Sequence, residues 1–280
     1  MINTIENYLK LNNYKLVEII QVNHKKRTRL IKVEKDNQYY IVKAIAEDSP
    51  LDIKNKFLVE VEYYRNHHQE YLPNLIEWSD QLLILEFVEG KSLRETLIDN
   101  SFNSKCLALL IRDVEKLYIN SKRENLNRSN FKNVFSHLSN LLQSGPIQTK
   151  DIKVSFYKRI LNKLILLVLK FKLRWYISRI DKEDLKNGFM HGDLHYNNII
   201  IAENGIVKFI DFENISYAGY FDFDIMYLFA MLEINLDNKS KELNMCREKI
   251  IDQFRDKNMM KIFQLFRFAL RFNSRFKVHA

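Results

Sequence analysis

The stretch His191-Gly192-Asp193-Leu194-His195-Tyr196-Asn197-Asn198, followed by Ile210-Asp211-Phe212-Glu213, decides how this chain is read. Asp193 and Asn198 stand five apart on a loop that enters an apolar, strand-like run, Asn198 to Ala202. A second such run, Ile206 to Ile210, follows the turn Glu203-Asn204-Gly205 and delivers Asp211 eighteen residues after Asp193. A hairpin of that length is expected to fold the three side chains onto one spot. Two carboxylates and an amide so gathered suit phosphoryl transfer from ATP. One carboxylate accepts the proton of an attacking hydroxyl, and the other, with the amide oxygen, holds the Mg²⁺ that bridges the phosphates. Singly, Asp and Asn are ordinary turn residues; the fixed spacing carries the argument.

Upstream of this motif the first ninety residues predict a small sheet with one helix. Lys15 to Val22, Arg29 to Glu34 and Gln38 to Ile45 are short runs rich in Ile, Val, Leu and Tyr, the last two joined by Asp36-Asn37 as a hairpin. After Pro50, Phe57, Val61 and Tyr64 recur at helical spacing over about Leu51 to Glu70, and Pro73 stops that helix. Leu75 to Trp78 and Leu82 to Val88 read as two more strands. Gly90, the first glycine, marks the change to a mainly helical part, which opens with a Ser92/Glu95 capping box. Within the strand Tyr40-Ile41-Val42-Lys43-Ala44, an inward-facing lysine needs an anionic partner, because an unpaired buried ammonium is costly.

His-Gly-Asp-x-x-x-x-Asn followed by Ile-Asp-Phe-Glu resembles the signature of the choline kinase and aminoglycoside phosphotransferase superfamily, relatives of the protein kinases. The resemblance implies an α+β, bilobal, protein-kinase-like fold. Its small β-rich lobe would span residues 1–90 and its larger helical lobe 91–280, together one domain with ATP bound in the cleft near Gly90. It further implies that Asp193 is the catalytic base, that Asn198 and Asp211 are the Mg²⁺ ligands, and that His191 braces the loop. Asp224, in Phe223-Asp224-Ile225, would anchor the catalytic loop. Lys43 would hold the ATP phosphates and pair with a helix glutamate, Glu60 or, as second choice, Glu62. Leu85-Glu86-Phe87-Val88-Glu89-Gly90 resembles the hinge whose backbone, at Glu86 and Val88, receives adenine. His195 stands where relatives also carry histidine, and a structural role is expected for it.

The sequence departs from the protein kinases in two ways. No glycine precedes Gly90, so the phosphate-covering turn, Val22 to Thr28, carries His24, Lys25, Lys26 and Arg27 instead. Gly192 follows the loop histidine, and only a short segment separates Asp211 from Asp224. Gly192 and the short segment favour a non-protein acceptor: a sugar of a surface glycan or an amino alcohol such as choline. An antibiotic-modifying kinase and a catalytically silent scaffold of the same fold are the competing readings.

Composition sets the outer limits. The 280 residues, 33.7 kDa, are 46% hydrophobic, enough for a sizeable core, and six glycines and three prolines exclude collagen-like designs. Two cysteines, Cys106 and Cys246, exclude a disulfide scaffold or zinc module; Cys106 is expected to pack in an amphipathic helix. The first ten residues lack the form of a secretory signal, and the longest apolar run, Leu164 to Leu169, is too short to span a bilayer, so a cytoplasmic protein is expected. The net charge of +9 is uneven. Ile152 to Ile180 holds eight basic residues and Lys257 to Ala280 six, with no acid in either, while the rest of the chain carries 30 basic and 35 acidic side chains. Such asymmetry points to an anionic partner. Nucleic acid is not expected; the alternatives are peripheral contact with the anionic inner face of a membrane and a grip on a phosphorylated or acidic acceptor. Ile160 to Ile177 also fits a core helix with snorkelling lysines. Arg267, Arg271 and Arg275, spaced by four among phenylalanines, fit either an interfacial stripe or a solvated face.

Overall fold

The computed structural model describes residues 2–119, 124–125, 186–219, 221–236 and 241–253, with shorter pieces at 164, 167–169, 171–173, 175–176, 178–179, 257–258, 260–265 and 267. The chain divides into two units, Met1–Leu93 with Asn197–Ile215, and Arg94–Tyr196 with Ser216–Ala280. In the first of these units Asn197–Ile215, which carries Asp211, groups with the N-terminal residues.

In the first unit, β1 (Lys15–Asn23), β2 (Thr28–Lys35), β3 (Gln38–Ile45), β4 (Leu75–Trp78) and β5 (Leu82–Glu86) form an antiparallel sheet of order β1-β2-β3-β5-β4. Asp36 and Asn37 both take positive φ, 52° and 60°, so the β2–β3 turn is the twist-matched hairpin type its sequence favours. Pleating sorts the side chains. Ile31 and Val33 of β2, Val42 and Ala44 of β3, and Leu82 and Ile84 of β5 point to one face. There they pack with Leu9 and Tyr14, at and just after α1 (Ile2–Leu11). This first helix is an addition to the single helix expected; its signal was the spacing of Ile5, Tyr8 and Leu9, which sit against that cluster.

The helix α2 (Leu51–Asn66) buries Phe57, Glu60, Val61, Tyr63 and Tyr64. It ends four residues before the expected Glu70, because His67 takes an extended conformation and its Nδ1–H donates to the Tyr63 carbonyl at 2.8 Å. That bond satisfies a carbonyl the helix would otherwise leave open. A second sheet in this unit joins β6 (Gly90–Ser92), β9 (Ile199–Ala202) and β10 (Val207–Phe209) in the order β10-β9-β6. Gly90 is required by this pairing: its φ is 153°, and a Cβ there would lie 2.3 Å from the Ile201 carbonyl oxygen.

The second unit is mainly helical, with α4 (Ser104–Ile119), α5 (Phe221–Asn235) and α6 (Lys241–Gln253), following α3 (Leu93–Ile98), which crosses the boundary. It also contains strands that the sequence did not announce. β7 (Glu124–Asn125), β8 (Lys186–Met190) and β11 (Ser216–Gly219) pair in the order β11-β8-β7. Cys106 is half-buried on α4 and Cys246 is buried on α6; both are free thiols. Arg267 turns inward to pair with the buried Glu233 carboxylate, so it does not present a solvated charge. Arg271 and Arg275 lie outside the described residues. No described helix is long and apolar enough to cross a membrane.

Candidate active site

The pleat that buries Val42 and Ala44 sends Ile41 and Lys43 to the opposite face of β3. There the Lys43 ammonium donates to Glu60 Oε2 at 2.6 Å, Asp211 Oδ1 at 2.8 Å and Glu213 Oε2 at 3.2 Å. Glu60 is 2% exposed and also accepts the Phe212 N–H at 3.2 Å. Phe212 is fully buried, stacked on Tyr63 at 4.2 Å between ring centres and edge-on to Tyr64. This plug fixes the chain on either side of it, so Asp211 and Glu213 both face Lys43. Asp211 is held at φ 66°, a left-handed conformation that Asp tolerates better than most residues. Glu62, the second choice as partner, is exposed.

The electrostatics follow from burial. Desolvation alone would lower the Lys43 pKa, but the charges of Glu60, Asp211 and Glu213 outweigh it and raise it above the ordinary value. Burial pushes the Glu60 carboxyl up, against the pull of Lys43. The cluster holds three carboxylates and is matched by a second cation, since Lys26 from the β1–β2 turn reaches Glu213 Oε1 at 3.0 Å. Of the other basic residues in that turn, Arg27 pairs with Asp48.

Lys43 opens onto a cavity of about 530 Å³. Ile20, Leu30, Ile41, Leu85, Ile200 and Ile210 give it apolar walls, while Glu86, Phe87 and Val88 line one side. The Glu86 N–H is bonded to the Asn74 carbonyl at 2.9 Å and the Phe87 N–H to the Tyr39 carbonyl at 3.1 Å, so Val88 supplies the next backbone donor along that wall. The Glu86 carboxylate is engaged by Asn74 and, at 2.9 Å, by Lys208, which also donates to the Leu72 carbonyl at 2.8 Å. Asn198 lines the same cavity; its backbone carbonyl accepts the Ile210 N–H at 3.0 Å, which sets it beside Asp211. Carboxylate and amide oxygens are the donors a hard divalent cation prefers, and ligand oxygens of Glu60, Asp211 and Glu213 lie within 4.8 Å of one another.

The other motif residues belong to the second unit. Asp224 is fully buried and accepts from the Tyr118 hydroxyl at 2.8 Å, the His191 N–H at 2.7 Å and the Gly192 N–H at 3.2 Å. It therefore ties the loop ahead of Asp193 to α5. His191, also fully buried, accepts the Asp193 N–H on Nδ1 at 3.3 Å. Asp193 itself is 30% exposed, with His195 Nε2 at 3.7 Å from its Oδ1. Burial, then the charges of Asp193 and Tyr196, raises the Tyr227 phenol.

Burial pushes the Asp224 carboxyl up to about 7, opposed by Tyr118, Gly192 and His191 and assisted by the charge of Asp193. A carboxyl raised above its unfolded value contributes stability that is complete below pH ~4 and lost as pH rises through ~7. Asp224→Asn does not titrate. The stability advantage of the wild type over this variant is therefore expected to shrink, by a few kcal/mol at most, between pH ~4 and ~7. Urea unfolding of both proteins across that range measures it; a constant gap means that Asp224 stays ionised throughout.

Sequence reasoning placed Lys43, Glu60, Asn198 and Asp211 around one site, and the structure brings them together. It missed Glu213, which bridges Lys26 and Lys43, although Glu213 stood in the quoted motif. Lys208 was missed too, and no local signal marks it.

Residues 59–263 match the family model described as choline/ethanolamine kinase. A search of the curated proteins finds no match to the chain. Among solved structures, the chain is similar to an ethanolamine kinase of Plasmodium vivax (TM-score 0.55, 18% identity, 94% of this chain and 74% of that one). It is also similar to a choline kinase of Cryptosporidium parvum Iowa II (0.54, 15%, 91% and 81%) and to an AMP-bound spectinomycin phosphotransferase (0.59, 11%, 96% and 88%). At these identities the structural likeness speaks for the bilobal kinase-like α+β fold.

Proposed function

Because this chain belongs to the choline/ethanolamine kinase family, whose members are ATP-dependent kinases of an alcohol group, we propose that it phosphorylates the hydroxyl of a small amino alcohol. The observation that carries this reading is Lys43 bonded at once to Glu60 and Asp211 at the mouth of the cavity walled by Glu86–Val88. Adenine would lie between Ile41 and Ile200 against the backbone at Glu86 and Val88. Lys43 and Lys26 would hold the phosphates, the lysine standing in for the missing glycines of the turn. Asn198 and Asp211 would hold Mg²⁺, which when bound neutralises phosphate charge. Asp193 takes the proton of the acceptor hydroxyl as its oxygen bonds to the γ-phosphorus; the bridging β–γ bond breaks and ADP leaves.

An amino alcohol is preferred to a sugar because the family model that the chain matches is that of choline/ethanolamine kinases. Offering the enzyme choline, ethanolamine, a hexose and an aminoglycoside in competition tests this. Phosphorylation of an amino alcohol is the expected result, and phosphorylation of the hexose alone would overturn it.

Glu60→Gln is expected to lower kcat/KM for ATP by roughly tenfold to a hundredfold, the worth of one charged hydrogen bond, since Lys43 keeps Asp211 and Glu213. The exposed Glu62→Gln should change it less than about twofold. Steady-state kinetics at varied ATP separates the two; equal losses would mean that the Lys43–Glu60 pair does not position the phosphates.

A further inference from the structure

We propose that the helical stretch around Phe171 seats on an anionic lipid bilayer surface. Leu164, Leu167, Val168, Phe171 and Trp175 are all helical and are 55%, 63%, 54%, 72% and 41% exposed. At about 100° per residue these five positions fall within an arc of roughly 100°. Leu169 and Leu173, on the other side, are 5% and 0% exposed. Among the described residues, Leu169 and Leu173 are therefore anchored in the protein, and the five apolar side chains opposite them are offered to solvent. A core helix with snorkelling lysines does not look like this, and exposed apolar patches of this kind mark interaction surfaces.

The surrounding charge indicates what covers the stripe. Ile152 to Ile180 contains eight basic residues and no acid, and of the eight Lys172 and Arg179 lie among the described residues. The structure also brings part of the second basic stretch to it: the Asn258 amide donates to the Arg179 carbonyl at 3.0 Å, and the Lys261 ammonium lies 5.3 Å from the Tyr176 ring centre. The Arg179 guanidinium covers the Trp175 ring at 3.8 Å, and Lys172 and Lys257 are exposed. Aliphatic side chains flanked by tryptophan, tyrosine and cations of one sign match a bilayer interface, where rings sit at headgroup depth and cations meet anionic headgroups. Arg267 is not part of the surface, being paired with Glu233.

The chain has two tryptophans, Trp78 and Trp175. In Trp78→Phe protein, Trp175 alone reports. Vesicles of phosphatidylglycerol mixed with phosphatidylcholine are expected to shift its emission to the blue, brominated acyl chains to quench it, and salt to reverse both. Phe171→Ser should weaken partitioning about tenfold. Lys172→Gln with Arg179→Gln should weaken it about thirtyfold, near fivefold per charge. The phosphotransfer rate without vesicles should be unchanged in these variants. Sedimentation of the unaltered chain with the same vesicles stands as an independent measure should any variant fail to fold. The proposal is overturned by an absence of shift and sedimentation, by equal binding to pure phosphatidylcholine, or by a Trp175 shift that follows protein concentration without lipid. That last result would assign the stripe to a second copy of the chain.

Discussion

Asp193→Asn is expected to lower kcat by about a thousandfold, within the range attributed to a positioned general base, with KM for ATP within about twofold of the wild type. The substitution keeps the side chain's size and removes only its capacity to accept a proton. Its N–H bond to His191 and the Asp224 bonds that hold the loop involve backbone groups and are untouched. The cavity proposed for ATP is lined by residues of the other unit of the chain, which is why nucleotide affinity should survive. Pre-steady-state measurement of the transfer step, with thermal melting as a control, decides it. A loss confined to KM would mean that Asp193 binds the acceptor without taking its proton.

Asp211→Asn should be comparably damaging for a different reason. Asp211 is one of three carboxylates around Lys43, and in the proposed reading it also supplies a ligand oxygen to the metal. Asparagine tolerates φ 66° as aspartate does, whereas alanine there would add backbone strain to the functional loss. The variant should fold, keep Lys43 paired to Glu60, and lose turnover by at least about a hundredfold. Its residual activity should require more Mg²⁺. Titrating MgCl₂ in both proteins checks this; an unchanged magnesium dependence would remove Asp211 from the metal assignment.

What the sequence disclosed and what it withheld divide along physical lines. Lys43 was legible because a strand alternates faces: between Val42 and Ala44, both fully buried, the lysine had to point the other way. Glu60 was legible against Glu62 because it shares the helix face of Phe57, Val61 and Tyr64. The same logic would have found α1 from Ile5, Tyr8 and Leu9. Contacts between distant segments left no such mark. Lys208 meets Glu86 across 122 positions, and no periodicity announces that pairing. Nor does the sequence around Gly90 disclose that β6 approaches the Ile201 carbonyl too closely for a Cβ. The apolar stripe at Phe171 was equally ambiguous, since composition cannot say which side of a helix the fold will cover.

The central claim is that this chain moves the γ-phosphoryl group of ATP to a small alcohol and that Asp193 drives the step. Phosphorus NMR of ATP, Mg²⁺ and an amino alcohol with the wild type and with Asp193→Asn tests it most directly. The γ-phosphate signal is expected to fall in step with the rise of a phosphomonoester and of ADP for the wild type, and to change almost not at all for the variant. Equal phosphomonoester formation by both proteins, or none by the wild type with any alcohol offered, would contradict it.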